Sequence, residues 1–211
     1  MTTADIAPTH QISPRTGIFF VLAAGVLWST VGLGIRMIED AIVLQILFYR
    51  SISLSAFLFL VIWLRSRESP LKLAIKAGLP ASIGGLSLVA AYAGGIYAIQ
   101  TTSVANAMLL FASAPFMAAI LGWIFLRERV RKATLFAILF AIVGIGVMVQ
   151  DKSQGGTALL GNLAALGSAF GFAVFTVALR WGRSEDMLPA VFLSGIFAIF
   201  ITLSICLVSG L

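Results

Sequence analysis

Seven blocks of nearly uninterrupted apolar residues divide this 211-residue chain, with only short polar links between them. They run over residues 17–35, 41–64, 77–99, 104–126, 133–150, 158–179 and 188–208. An apolar stretch of about 18 residues or more is long enough to cross a bilayer as a helix. In lipid, only a helix or a closed barrel satisfies its own backbone groups. A barrel needs strands of alternating polarity, and Ala133–Val149 does not alternate. The expected fold is therefore an all-α integral membrane protein of about seven transmembrane helices. Composition points the same way. The chain is 60% hydrophobic and 10% charged, whereas a soluble domain carries about 25% charged residues.

The positions of Lys and Arg give the expected orientation. Arg15, Arg65, Arg67, Lys72, Lys76, Arg127, Arg129, Arg131, Lys132, Arg180 and Arg183 fall on one side of the membrane, eleven in all. Arg36 and Lys152 fall on the other, and Arg50 lies inside a span. Basic loops stay in the cytoplasm, so the N-terminus is expected there, in the cytoplasmic (inner) membrane of the cell. Trp63, Trp123 and Trp181 then sit at cytoplasmic span ends, where interfacial tryptophans belong. Residues 1–16, with His10, Pro8 and Pro14, read as an uncleaved cytoplasmic tail. The net charge of +6 serves topology and does not form a soluble basic surface, so no nucleic-acid partner is expected. The expected partners are the lipid bilayer and a small-molecule substrate.

A shift of 144 residues lays the first span on the sixth without a gap. Gly17 then meets Gly161, Leu22 meets Leu166 and Arg36 meets Arg180. An acidic pair follows each copy, Glu39–Asp40 and Glu185–Asp186. Four spans lie between the copies, so they enter the membrane from opposite faces. Inverted five-span units are the architecture of many secondary transporters. On this reading residues 17–150 form a complete first five-helix repeat. Residues 151–211 hold two helices of a partial second one.

Three segments resemble the drug/metabolite transporter superfamily, in its EamA-type branch. They are Gly25–Thr30 (GVLWST), Phe48–Ser51 (FYRS) and Ala107–Val130, the last with Pro115 mid-helix and Glu128 just beyond the span. The resemblance implies ten spans in two inverted halves that move small metabolites such as amino acids, nucleotide sugars or drugs. This chain departs from that pattern by stopping after its seventh span. A homodimer, or the missing C-terminal helices, would then complete the pathway.

Arg50 is the sharpest chemical signal. An Arg at the centre of a span costs at least about 2.5–3.5 kcal/mol and normally faces a cavity or a partner. It either attracts an anionic substrate group or clamps helix carbonyls; no Asp or Glu lies at its depth in any span. Gln45, Tyr49 and Ser53 share one face beside it, suited to substrate contact or to holding helices together. Trp28 lies near mid-depth among Gly25, Ser29 and Gly32, and stacks on a substrate or fills a gap. Ser87, Ala91, Gly94 and Ala98 make a small-residue face for close helix packing. Tyr92, beside them, needs a partner for its hydroxyl. Asn106 opens the fourth span, and Pro115 removes a backbone donor within it. Arg50, Trp28, Tyr92, Asn106 and Tyr49 are the candidate substrate-lining residues. Glu128, among Arg127, Arg129 and Arg131, reads as part of a solvated cytoplasmic cluster that sets topology and anchors the loop, with a transport gate as the lesser alternative.

One His in a tail and one Cys, Cys206, in an apolar block cannot assemble a nucleophile–base pair or a metal centre. There is no phosphate-binding glycine loop for ATP. No enzyme activity and no cofactor are expected. The resulting reading is a secondary transporter, working as an exporter of a small polar metabolite by alternating access. The alternative is a non-transporting membrane subunit or a non-functional fragment of such a transporter.

Overall fold

The computed structural model describes residues 14–38, 41–150, 156–182 and 188–209. Among them the apolar blocks are helices: α1 (Pro14–Met37), α2 (Val43–Ser66), α3 (Pro70–Lys76), α4 (Gly78–Thr101), α5 (Val104–Phe111), α6 (Ala114–Leu126), α7 (Lys132–Gln150), α8 (Gly156–Trp181) and α9 (Leu188–Ser209). Six segments are long and apolar enough to cross a membrane, with α5 and α6 counted together as one of them. The fifth expected span is α7, 19 residues over Lys132–Gln150. The chain is a multi-pass, all-α membrane protein. The tail with His10, the acidic pairs Glu39–Asp40 and Glu185–Asp186, and Lys152 and Arg183 lie outside the described residues.

Two elements depart from the even pattern of spans. The link after α2 folds into α3, where Pro70 occupies the first helical position with its φ already set. A seven-residue helix carries too little periodicity to stand out in sequence. Gly78, at φ +68°, then turns the chain into α4, in a region that favours glycine. The second departure divides the fourth span. Proline has no N–H for the carbonyl four residues back, so Pro115 leaves that of Phe111 without its helical donor, and the helix breaks between Phe111 and Ala114. The Ser113 hydroxyl donates to the Leu110 carbonyl at 2.6 Å and helps to close the buried turn.

The chain separates into two units, Met1–Ile38 and Glu39–Leu211. The first contributes α1, where Ser29 and Thr30 donate to the carbonyls of Val26 and Leu27, each at 2.7 Å. In the second, α4 and α8 form the central pair. α9 packs against α2 and α4, and α5 and α6 pack against α8. Leu88, Ala91, Phe175, Leu179, Ala190 and Leu193 form the core where α4, α8 and α9 meet.

The α4–α8 contact shows why small residues are needed on both helices. A Cβ on Gly171 would lie 2.7 Å from the Ser87 carbonyl oxygen, and one on Gly94 would lie 3.0 Å from that of Ala164. Gly161 lies against Thr101 and Thr102, and Gly182 against Pro80. These pairs run in opposite order along the two helices, so α4 and α8 are antiparallel, as spans three and six must be if every block between them crosses. The face of Ser87, Ala91 and Gly94 expected to pack closely does so. Two polar bonds tie the pair: the Thr102 hydroxyl donates to Asn162 Oδ1 at 2.9 Å, and the Ser168 hydroxyl to the Ala91 carbonyl at 2.6 Å. Interhelical bonds of this kind average about 0.6 kcal/mol in membrane proteins. Ser168→Ala should therefore lower unfolding stability in detergent by about that amount, measured by a denaturant titration against the parent chain.

Candidate functional site

α2 begins at Val43, two residues later than expected, and Arg50 follows seven residues on. At 1.5 Å per residue that is about 10 Å inside the helix, so Arg50 stands a third of the way along α2 and short of its middle. It still lies well within the span. Its guanidinium carbon sits 3.7 Å from the centroid of the Tyr92 ring on α4. A cation over an aromatic face gains about 0.5–2 kcal/mol, most where water is excluded. Stacking leaves the in-plane N–H groups free to meet something else. Nη1 is buried and meets no acceptor among the described residues. A carbonyl clamp would need an oxygen at that position.

Two more buried polar atoms without a partner lie on the same helix, the hydroxyl oxygens of Ser51 and Ser55. A Cβ on Gly195 of α9 would run into the Ser55 hydroxyl, so these serines line the α2–α9 contact. Buried polar groups in folded proteins are nearly always paired. Here the three exceptions among the described residues fall on two consecutive turns of one helix.

The other candidates are placed differently. Tyr49 is exposed, with its ring edge-on to Phe48 at 5.6 Å between centroids, and it takes no part in the Arg50–Tyr92 contact. Gln45 and Ser53, on the same stripe, bond within α2: Gln45 Oε1 accepts from the Ile42 N–H, and the Ser53 hydroxyl donates to the Tyr49 carbonyl. Asn106 lies in the first turn of α5, where its N–H donates to the Ser103 hydroxyl at 3.2 Å and caps the helix. Trp28 belongs to α1, in the other unit. The structure thus joins Arg50 and Tyr92 in one site.

Sequence reasoning did not supply the partner of Glu128, at the far end of α6. Glu128 is not simply one of a solvated cluster. Its Oε2 lies 2.6 Å from Nη1 of Arg180, in the last turn of α8. Nη2 of the same Arg donates to the Ala118 carbonyl at 3.1 Å. The only sequence hint was that Arg180 aligns with Arg36 at the 144-residue offset. A separate groove of about 410 Å³ between α4 and α9 is lined by Ser82, Ile83, Leu86, Phe197, Phe200 and Ile201. It presents no charged group to a polar solute.

Comparison with known proteins identifies the family. The model of the EamA-like transporter family matches residues 15–150. The chain is similar to solute carrier family 35 member G1 of Mus musculus, at 27% identity over 189 residues, covering 82% of this chain and 50% of that protein. Protein RarD of Escherichia coli is 30% identical over 166 residues, covering 76% of this chain and 53% of RarD. The uncharacterized transporter YetK of Bacillus subtilis is 34% identical over 86 residues, or 39% of this chain and 26% of YetK. The chain spans about half the length of the first two of these relatives. No solved structure gives a significant match. With its family model covering well over half its residues, the chain belongs to the EamA-like transporter family.

Proposed function

We propose that this protein is a secondary transporter that exports a small polar metabolite with an anionic group across the cytoplasmic membrane, by alternating access. The observation that carries this reading is Arg50 Nη1, buried beside the Tyr92 ring with no acceptor among the described residues. A guanidinium N–H buried without an acceptor is costly in lipid. A carboxylate or phosphate on a passing solute would supply one. Tyr92 holds the guanidinium from one face. The N-terminus is cytoplasmic on the eleven-to-two charge count. The inverted repeat, 17–150 with a partial copy over 151–211, supplies the two elements that rock about the site.

Coupling follows from the charges available. The carboxylates among the described residues, Glu68 and Glu128, both lie outside the helices. Exchange or facilitated efflux therefore suits this site better than a proton relay through it. The test uses everted inner-membrane vesicles with and without the chain, incubated with a mixture of small carboxylates, phosphates and their neutral amides or alcohols. Mass spectrometry should find one or a few of the anionic solutes accumulated above the empty-vesicle level. Equal accumulation of an acid and its neutral amide, or no accumulation of any solute, would rule this reading out.

A further inference from the structure

From the geometry at the far end of α6 we infer that Glu128 and Arg180 form a gate at the membrane face read as cytoplasmic, with α6 as its hinged arm. This inference rests on the transport reading above. Four observations meet there. The first is the ion pair, Arg180 Nη1 to Glu128 Oε2 at 2.6 Å, which joins the chain just beyond α6 to the last turn of α8. The second is the bond from Arg180 Nη2 to the Ala118 carbonyl, so that one guanidinium grips both α6 and the residue that follows it. The third is Gly122. A Cβ there would lie 2.8 Å from Glu128 Oε2 and 3.2 Å from Arg180 Nη2, so the pair rests directly over the missing side chain. The fourth lies at the opposite end of the arm, where Pro115 and the break before Ala114 separate α6 from α5.

Local backbone geometry aims the carboxylate. Arg127 ends α6 in the left-handed region at φ 54°, and the Glu128 N–H then folds back to the Gly122 carbonyl at 3.3 Å. Glu128 is thus turned over α6 toward α8 instead of out into solvent. The two partners also come from different parts of the chain. Glu128 lies inside the family-matched segment 15–150, and Arg180 lies beyond it, in the partial second repeat. A contact that joins two repeats near one membrane face must open when that face opens. Its strength suits such a cycle. Both side chains are about 40% exposed, and partly exposed ion pairs are weak enough to break and re-form readily. A fully buried pair would hold the arm shut.

The test needs no substrate. In a Cys206→Ser background, Leu121→Cys places a thiol in the partly buried packing between α6 and α8. A membrane-impermeant maleimide added to everted vesicles then reports opening at that face. Glu128→Gln and Arg180→Gln should each speed labelling by about two- to fivefold, the range expected for loss of a partly exposed pair. Gly122→Ala should do the same with both charges still present, because its Cβ displaces the pair. The exchanged pair, Glu128→Arg with Arg180→Glu, should return the rate to within about twofold of the parent. A misfolded protein would not recover on exchange. Labelling at the parent rate in both single variants, or an exchange variant as fast as the singles, overturns the gate. If this pattern holds while no solute is moved in the vesicle screen, the gate stands and the transport reading fails.

Discussion

Replacing Arg50 should all but abolish transport of an anionic solute while leaving the protein in the membrane at its usual level. Hydrogen bonds to charged groups are worth about 1.5–3 kcal/mol, and about 1.4 kcal/mol corresponds to a factor of ten. Arg50→Ala should therefore weaken apparent affinity by about 10- to 100-fold in everted vesicles. Arg50→Lys keeps the charge but loses the planar fork and its stacking on the Tyr92 ring, 3.7 Å away in the parent. It should recover only part of the loss. Tyr92→Leu removes the ring and leaves the guanidinium unsupported, so it should reproduce a smaller share of the Arg50→Ala effect. Parent-level affinity in Arg50→Ala, with protein amount unchanged, would exclude Arg50 from the substrate site. The carbonyl-clamp reading predicts a different pattern, in which protein levels fall before affinity changes.

The second large effect concerns stability, and two glycines one turn apart on α8 isolate it. A Cβ on Gly171 would come 2.7 Å from the Ser87 carbonyl oxygen and 3.1 Å from the Ala91 nitrogen, both backbone atoms of α4. Neither can rotate away, so the helices must separate. Overpacking of this kind costs about 1–3 kcal/mol. For a chain of this length, each kcal/mol lowers the unfolding midpoint by about 2–4 °C. Gly167 has nothing within 4 Å of its Cβ position. Gly171→Ala should therefore lower the midpoint in detergent by several degrees, whereas Gly167→Ala should leave it unchanged or raise it slightly through better helix propensity. Equal midpoints for the two variants would mean that α4 and α8 do not approach each other this closely.

Much of this architecture is legible in the sequence because lipid is a demanding solvent. An apolar block of spanning length has few folds open to it, so the blocks at 41–64, 77–99 and 188–208 are helices to within a few residues of those limits. The small-residue face of Ser87, Ala91 and Gly94 was readable for the same reason: glycines spaced along one helix face need a close neighbour. What sequence spacing cannot supply is which neighbour. Arg50 and Tyr92 stand on different helices, and nothing in the order of residues reports that their side chains meet. Tyr49, adjacent to Arg50, points elsewhere because one step along a helix turns a side chain by about 100°. Glu128 and Arg180, fifty-two residues apart, look like ordinary topology-setting charges until α6 and α8 are side by side. α3 was hidden by its brevity.

The pairing of α4 with α8 also sets an order of assembly. The Ser168 hydroxyl and the Ala91 carbonyl it meets are 77 residues apart. At about 5–20 residues per second, the ribosome needs roughly 4–15 s to deliver the second after the first. For that interval the glycine- and serine-bearing flank of α4 sits in the insertion machinery or in lipid without its mate, while two further blocks are threaded past it. A helix that must wait that long among other newborn helices is open to wrong partners. The narrowness of its glycine face, which only a similarly small-faced helix can fill, then acts as a filter on those encounters during synthesis.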